Sequence, residues 1–304
     1  MLLLTSVVPS LTGAPLGVHT NRKTNMSEFG DWIGRSQSAT DVLDPGRSNA
    51  LGAAFGHEAA LRDGDPLPPL RHWLYFWDVR PPAALGGDGH PAKGGFLPPV
   101  PLPRRMWAGG RVQFQAPLVL GEQATKTSTI TKVEEKSGRS GMLVFVTVRH
   151  EVAGQSGVGI VEEQDLVYRA AATVPIARPA DGPPPDAPWR ERVEPDPVLL
   201  FRYSALTMNG HRIHYDRPYA TGEEAYPALV VHGPLQATLL IDLAQRHAAS
   251  PIRSFSFRGQ QPAFDGAPLY VCGQPDEGGA ALWTQQGAAQ CMTATARFEG
   301  SDAG

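Results

Sequence analysis

Hydrophobic and polar positions alternate with a period of two in several short stretches of the chain and with a period near 3.6 in one long one. Residues 125–136 alternate strongly, and Met142-Leu143-Val144-Phe145-Val146 is an unbroken apolar run suited to a strand buried on both faces. With the turns at Ser137-Gly138 and 154–157 as punctuation, segments 111–115, 124–135, 143–152 and 158–168 are predicted as strands of an antiparallel meander. A second set, 252–259, 268–273, 280–286 and 290–299, lies towards the C-terminus. Between the sets, the short apolar run 228–231 reads as a strand. Just after it, Leu235, Leu239, Leu240 and Leu243 recur on one face of a helix predicted over 234–247. A shorter helix is predicted over 45–55, with Asp44 as N-cap and Pro45 in the first position, where its missing N–H costs nothing. The aromatic stretch 70–79 reads as a strand.

Proline and glycine are too dense between 81 and 110 for regular structure, and so long a loop inside a domain usually carries function. A second proline-rich stretch, 175–197, contains Pro183-Pro184-Pro185; its extended geometry is expected to link two domains. The halves on either side repeat one plan. Val112-x-Phe114-x-x-Pro117-x-x-x-Gly121 resembles Phe255-x-Phe257 followed by Pro262-x-x-x-Gly266, and self-similarity at half-length argues for two copies of one fold. The expected organisation is a disordered tail over 1–26, a first domain over 27–174, the linker over 175–197 and a second domain over 198–300.

The 304 residues, 41% hydrophobic, suffice for two such domains. A net charge of −3 leaves no footprint for nucleic acid or an anionic membrane surface, and no apolar run reaches the ~20 residues that a spanning helix needs. Cys272 and Cys291 lack metal-ligand spacing, so they are read as reduced, buried thiols of a reducing compartment such as the cytoplasm. No metal motif and no glycine-rich nucleotide loop occurs, and neither a metal nor a cofactor is expected.

The chemistry gathers in one stretch. Residues 201–216 include Asn209, His211, His214 and Asp216, and they precede the run 228–231 and the helix. Histidine titrates nearest neutrality and is the natural acid–base candidate, although a histidine in a turn is commonly a hydrogen-bonded structural residue. The N-terminus of the helix, with Gly233 just before Pro234, presents unpaired N–H groups to a developing oxyanion. Asp216 is either a rival base or the cap of a short helix over 216–220. Asn209 does not titrate but can orient water.

The stretch Leu206-Thr207-Met208-Asn209-Gly210-His211-Arg212-Ile213-His214 resembles the hydratase signature of the MaoC-like, R-specific enoyl-thioester hydratases, Leu-Ser-Gly-Asp-x-Asn-Pro-Ile-His. His214 falls on the family's catalytic histidine, Asp216 on an acidic position that often follows it, and Val231-His232-Gly233 on the Val-His-Gly that opens the long hot-dog helix. Asn209 stands at the position of the family's catalytic aspartate, and His211-Arg212 replaces Asn-Pro. These departures resemble a double hot-dog branch whose first half is similar to a fatty-acid-synthase-type dehydratase. That branch comprises mesaconyl-CoA and itaconyl-CoA hydratases and hydroxyacyl-thioester dehydratase type 2. His72-Trp73-Leu74-Tyr75-Phe76, Gly94-Gly95-Phe96-Leu97-Pro98-Pro99 and Arg105-Met106-Trp107-Ala108-Gly109-Gly110 carry the likeness through the first half.

The resemblance implies an α+β double hot-dog of two antiparallel sheets, with the long central helix clear only in the C-terminal half. The loop after 73–76 then either replaces a lost helix and opens space for substrate or covers a sheet edge. It also implies a hydro-lyase acting on an acyl-CoA, with a branched dicarboxylyl type such as itaconyl- or mesaconyl-CoA favoured over fatty-acyl dehydration. His214 would move the proton, with His211 as a possible second group, and the Gly233 N–H would form the oxyanion hole. Arg212, Arg253, Arg258, His232 and Tyr215 are the substrate-binding candidates, with Arg104 and Arg105 beside them as carriers of cationic charge. Coenzyme A enters as part of the substrate, and a homodimer is expected by analogy with the pairing of hot-dog sheets. Two other readings stay open: a thioesterase, for which Asp242 in mid-helix is the sole acidic candidate, and a non-catalytic acyl-binding module.

Overall fold

The computed structural model describes residues 28–58, 60–138, 141–170 and 176–300. The expected tail, 1–26, lies outside these residues. Ten strands form one continuous antiparallel sheet: β1 (Ser36–Val42), β2 (Arg104–Phe114), β3 (Gln123–Gly138), β4 (Gly141–Gly154), β5 (Gly157–Arg169), β6 (Trp189–Val193), β7 (Ile252–Gly259), β8 (Leu269–Asp276), β9 (Gly279–Gln286) and β10 (Ala289–Phe298). Their order across the sheet is β1-β3-β4-β5-β2-β7-β10-β9-β8-β6. Read inwards from its two edges, the sheet has the same connectivity twice. This is the double hot-dog, with its two expected sheets fused edge to edge through β2 and β7.

The seam pairs Gly109 with Arg258 and Val112 with Phe255. It requires glycine: a Cβ on Gly109 would lie 2.5 Å from the Phe257 carbonyl oxygen, inside van der Waals contact.

The duplication extends to the helices. Asp44 caps α1 (Pro45–Ala54) by accepting the Arg47 N–H at 3.2 Å, and Asp196 caps α2 (Pro197–Thr207) by accepting the Leu199 N–H at 2.7 Å. The motifs 117–121 and 262–266 end on Gly121 and Gly266, both at positive φ, and make equivalent single bridges, Pro66 to Val119 and Val230 to Phe264. The run 228–231 therefore forms one bridge rather than a strand. Beyond the bridge the halves diverge. The C-terminal half enters α3 (Gly233–His247), whose residues from Leu235 to Ala244 are all buried against β7, β8, β9 and β10. Each fully buried leucine there contributes about 1.5–3 kcal/mol. The N-terminal half makes only a 3-10 turn, Arg71–Leu74, before its long loop. The aromatic stretch predicted as a strand is this turn, flanked by Leu70 and Phe76 at positive φ.

Four further elements differ from expectation: β2 begins at Arg104, inside the stretch 81–110 expected to be irregular, and α2 went unpredicted, as did two edge strands. Part of the proline-rich linker is β6, which pairs with β8 as an edge strand. At the opposite edge, β1 went unpredicted because it is polar: Ser36, Ser38 and Thr40 meet Thr129, Thr127 and Thr125 in a hydroxyl ladder at 3.0–3.2 Å. Among the described residues no helix is long and apolar enough to cross a membrane.

Candidate active site

A cavity of about 770 Å³ opens between the halves, within the range of small-molecule sites. The turn 209–214 and the start of α3 form one wall, and the long loop of the N-terminal half, with the adjoining ends of β2 and β5, forms the other.

Four imidazoles run in file along this boundary. His90, from the loop, stands 4.2 Å from His211 between ring centroids; His211 meets His214 edge-on at 5.5 Å; His214 stacks on His232 at 3.6 Å. The file ends where His232 Nε2 meets the Ser204 hydroxyl on α2 at 2.8 Å. His214 sits in a 3-10 turn, Arg212–His214, and its Nδ1 donates to the Val230 carbonyl at 2.7 Å. That bond fixes the tautomer and leaves Nε2 as the basic nitrogen at the cavity. Burial presses the His214 pKa down to about 3, with the His211 charge adding to the effect, and it does the same to His211. His232, fully enclosed, is held well below its ordinary value by burial.

Asn209 lines the cavity and accepts the His211 N–H on Oδ1 at 3.0 Å, which leaves its amide NH2 as the outward donor. Gly233 also lines it, one residue inside the helix rather than before it. Its N–H has no acceptor among the described residues, so an oxyanion there would meet both that donor and the positive end of the α3 dipole.

Other expected site residues stand elsewhere. The Asp216 carboxylate accepts Arg212 Nε and Nη2 at 2.9 and 2.7 Å and the Tyr219 N–H at 3.2 Å, and the Arg212 guanidinium holds its carboxyl below the usual range. It caps the π-helical turn Tyr219–Glu223 and is no base in the cavity. Arg212 is correspondingly occupied: besides Asp216 it lies over the Tyr219 ring at 4.1 Å. Tyr215 points outward, with its hydroxyl on the Gly210 carbonyl. Arg253 lies on an exposed position of β7 outside the cavity. His232 touches no cavity space and supports His214 from behind. Of the substrate-binding candidates Arg258, Arg104 and Arg105 line the cavity. Asp242 is away from it, paired with Arg71 at 2.9 Å in the core.

Sequence reasoning passed over Asp88 and His90, which lie in the loop it had marked as functional. It could not see that the loop folds onto the turn 209–212. The clamp is specific: the Arg212 N–H donates to the Asp88 carbonyl at 2.9 Å and Arg212 Nη1 to that of Gly87 at 3.0 Å. Gly89, at φ 87°, passes so close that a Cβ would lie 2.0 Å from the Gly210 carbonyl oxygen. Asp88, His90 and His211 offer potential metal-ligand atoms within 4.8 Å of one another. Asp88 Oδ2, however, is engaged by His90 Nδ1 at 3.1 Å, the arrangement of a carboxylate–imidazole hydrogen bond.

Comparison with known proteins identifies the family. Residues 70–265 match the family model of hydroxyacyl-thioester dehydratase type 2. The chain is 49% identical over 247 residues to the mesaconyl-C(4)-CoA hydratase of Chloroflexus aurantiacus, covering 81% of this chain and 88% of that one. It is 30% identical over 234 residues to the mitochondrial hydroxyacyl-thioester dehydratase type 2 of Schizosaccharomyces pombe, covering 68% and 77%. Among solved structures, HtdX of Mycobacterium tuberculosis shares the fold with a TM-score of 0.62 at 20% identity, over 87% of this chain and 100% of that one. With a family model spanning both halves and the histidine turn at their junction, this chain belongs to the hydroxyacyl-thioester dehydratase type 2 family of hydro-lyases.

Proposed function

We propose that the protein adds water to, or removes it from, a short branched dicarboxylyl-CoA thioester of the mesaconyl type. The 49% identity to a mesaconyl-C(4)-CoA hydratase carries this choice. The charges around the cavity support it. A buried free carboxylate must be paired, and coenzyme A brings phosphates as well. Arg104 is consumed by Glu224 at 3.1 Å, but the half-buried Arg105 and Arg169 have no carboxylate within ion-pair distance among the described residues. Arg169 Nε is buried without any partner. These two suit the substrate carboxylate, and Arg258, exposed at the rim, suits the phosphates.

In the hydration direction His214 Nε2 takes a proton from water as its oxygen bonds to the β-carbon. The π electrons move onto the thioester oxygen, where the Gly233 N–H and the α3 dipole stabilise them; one such donor is worth about 3–4 kcal/mol of barrier. Asn209 orients the water through its amide.

The test is a panel of enoyl-CoA thioesters, followed by loss of the conjugated absorbance. Mesaconyl-CoA should be hydrated well ahead of crotonyl- and long-chain enoyl-CoA. Preference for long chains would favour a second reading, fatty 3-hydroxyacyl-thioester dehydration, for which the apolar lining by Phe96, Leu97 and Met292 speaks. Release of free CoA without hydration would instead mark a thioesterase, against which the Asp242–Arg71 pair counts.

A further inference from the structure

Water addition to an enoyl thioester moves two protons, one from the water and one to the α-carbon. His214, with Nδ1 tied to Val230, has a single nitrogen to exchange. Asn209 does not titrate, and Asp216 is bound by Arg212 and the Tyr219 N–H. We propose that His90, oriented by Asp88, is the second proton-transfer group: the N-terminal half supplies the acid that protonates the α-carbon in hydration and the base that deprotonates it in dehydration. This rests on the hydro-lyase reading above.

Position is the first support. His90 lines the same cavity as His214, on the opposite wall, with His211 between them in the file. Orientation is the second. Asp88 Oδ2 accepts His90 Nδ1 at 3.1 Å and Oδ1 accepts the His90 N–H at 3.0 Å, so Nδ1 keeps its proton and Nε2 is the exchanging atom. Asp88 is thus a positioning residue. The third is charge. His90 faces Asp88 from its own loop, Arg105 from β2 and His211 from the turn. Among the four imidazoles of the file, only His90 is hydrogen-bonded to a carboxylate, which favours a proton there over its neighbours. Burial lowers the pKa of His90, with the Asp88 hydrogen bond working against it; His211, which Asp88 reaches by charge alone, and His214 fall to about 3. Environments that separate two titratable groups assign them as acid and base. The fourth is construction. Gly89 and Arg212 pin the loop on the turn, which gives the otherwise structural Arg212 a place in the site.

The step balances. The water proton goes to His214 Nε2, the hydroxyl to the β-carbon, and the proton on His90 Nε2 to the α-carbon. Passing one proton from His214 to His90 through cavity water restores both rings, and the net change is one H2O added.

Asp88→Asn and His90→Gln should be compared with the wild type on whichever thioester it hydrates, with kcat and KM over pH. His90→Gln should lower kcat about 10²-fold with KM within about threefold, and it should abolish the high-pH fall of kcat/KM. Asp88→Asn should move that fall to lower pH, since the imidazolium loses its counter-charge. Near-wild-type activity of His90→Gln would overturn the proposal, and so would a lowered rate with an unchanged pH profile, the mark of a structural role. Loss of wild-type activity to a chelator with recovery on Zn2+ would also overturn it and assign Asp88, His90 and His211 to a metal. A wild type that hydrates no thioester would fail the functional reading itself, whereas an active wild type with indifferent variants would fail this inference alone.

Discussion

In the N-terminal half, His72 lies 2.9 Å from Glu162, a carboxylate that also accepts Trp73 Nε1 and Gln164 Nε2. In the C-terminal half, His214 and His232 stack at 3.6 Å with no carboxylate partner at all. Both pairs are buried, and they are treated oppositely. Burial alone would raise the pKa of Glu162, but the hydrogen bond and charge of His72 hold it down to about 2. For His214 only the hydrogen bond to the Val230 carbonyl works against desolvation, no carboxylate does, and the imidazole is kept neutral. The first arrangement is a closed polar core, placed where the chain forgoes a central helix and closes the gap with the turn Arg71–Leu74. The second keeps an imidazole uncharged with one nitrogen facing the cavity, the state a general base needs. One half has the long helix and the dipole that serves the site, while the other has in its place a short turn and a loop that reaches that site.

The largest effect should come from the open cluster. His214→Gln is expected to lower kcat about 10²- to 10⁴-fold while the unfolding midpoint in urea stays near that of the wild type, measured side by side. In the closed cluster the balance should reverse. Glu162→Ala leaves His72 and Trp73 unpaired and is expected to cost about 3–5 kcal/mol in urea unfolding, with turnover per folded molecule little changed. A large loss of turnover by folded Glu162→Ala would break the contrast.

Acid should act on the two clusters in different windows. His211 and His214 drop from 6.5 to about 3 and His150 to about 4 on folding, all through burial, so the unfolded chain binds more protons once pH falls below 6.5. Stability should then decline by up to ~1.4 kcal/mol per pH unit for each group. Glu162 acts the other way round the carboxylate scale. Its contribution is complete above 4.5 and is lost as pH falls from there to about 2. Unfolding free energies from pH 7.5 to 4.5 would test this, and a flat profile would contradict the buried, neutral state of the file. The smallest effect is expected of Ser204→Ala, which leaves His232 Nε2 without its partner and should cost about 1 kcal/mol with a severalfold loss of turnover.

Much of this was legible because local physics agrees with the fold. Asp44 and Pro45 start a helix by capping alone, and the eight strands predicted on either side of the linker all occur, although β2 begins seven residues early, inside the stretch expected to be irregular. The polar β1 and the linker strand β6 escaped because edge strands satisfy themselves with hydroxyl ladders or a single paired side, leaving no apolar period to detect. Of the site, Asn209, His211, His214 and Gly233 were readable since one turn and one helix start bring them together. Asp216, readable as either base or cap, proved to be the cap, and Arg212, a binding candidate, is its partner.

The sequence by itself determined the duplicated plan through period, capping and self-similarity, and its resemblance to a known family supplied the hot-dog fold and singled out the histidine of the turn. Only the tertiary structure decided that Asp88 and His90 join that histidine from more than a hundred residues away, and that His232 stands behind it rather than before the substrate. It also left Arg105 and Arg169 at the cavity with no carboxylate in ion-pair distance among the described residues. The physical reason is the same in each case. Alternation and caps are set by neighbours along the chain, whereas desolvation and pairing of charge depend on which surfaces the fold presses together.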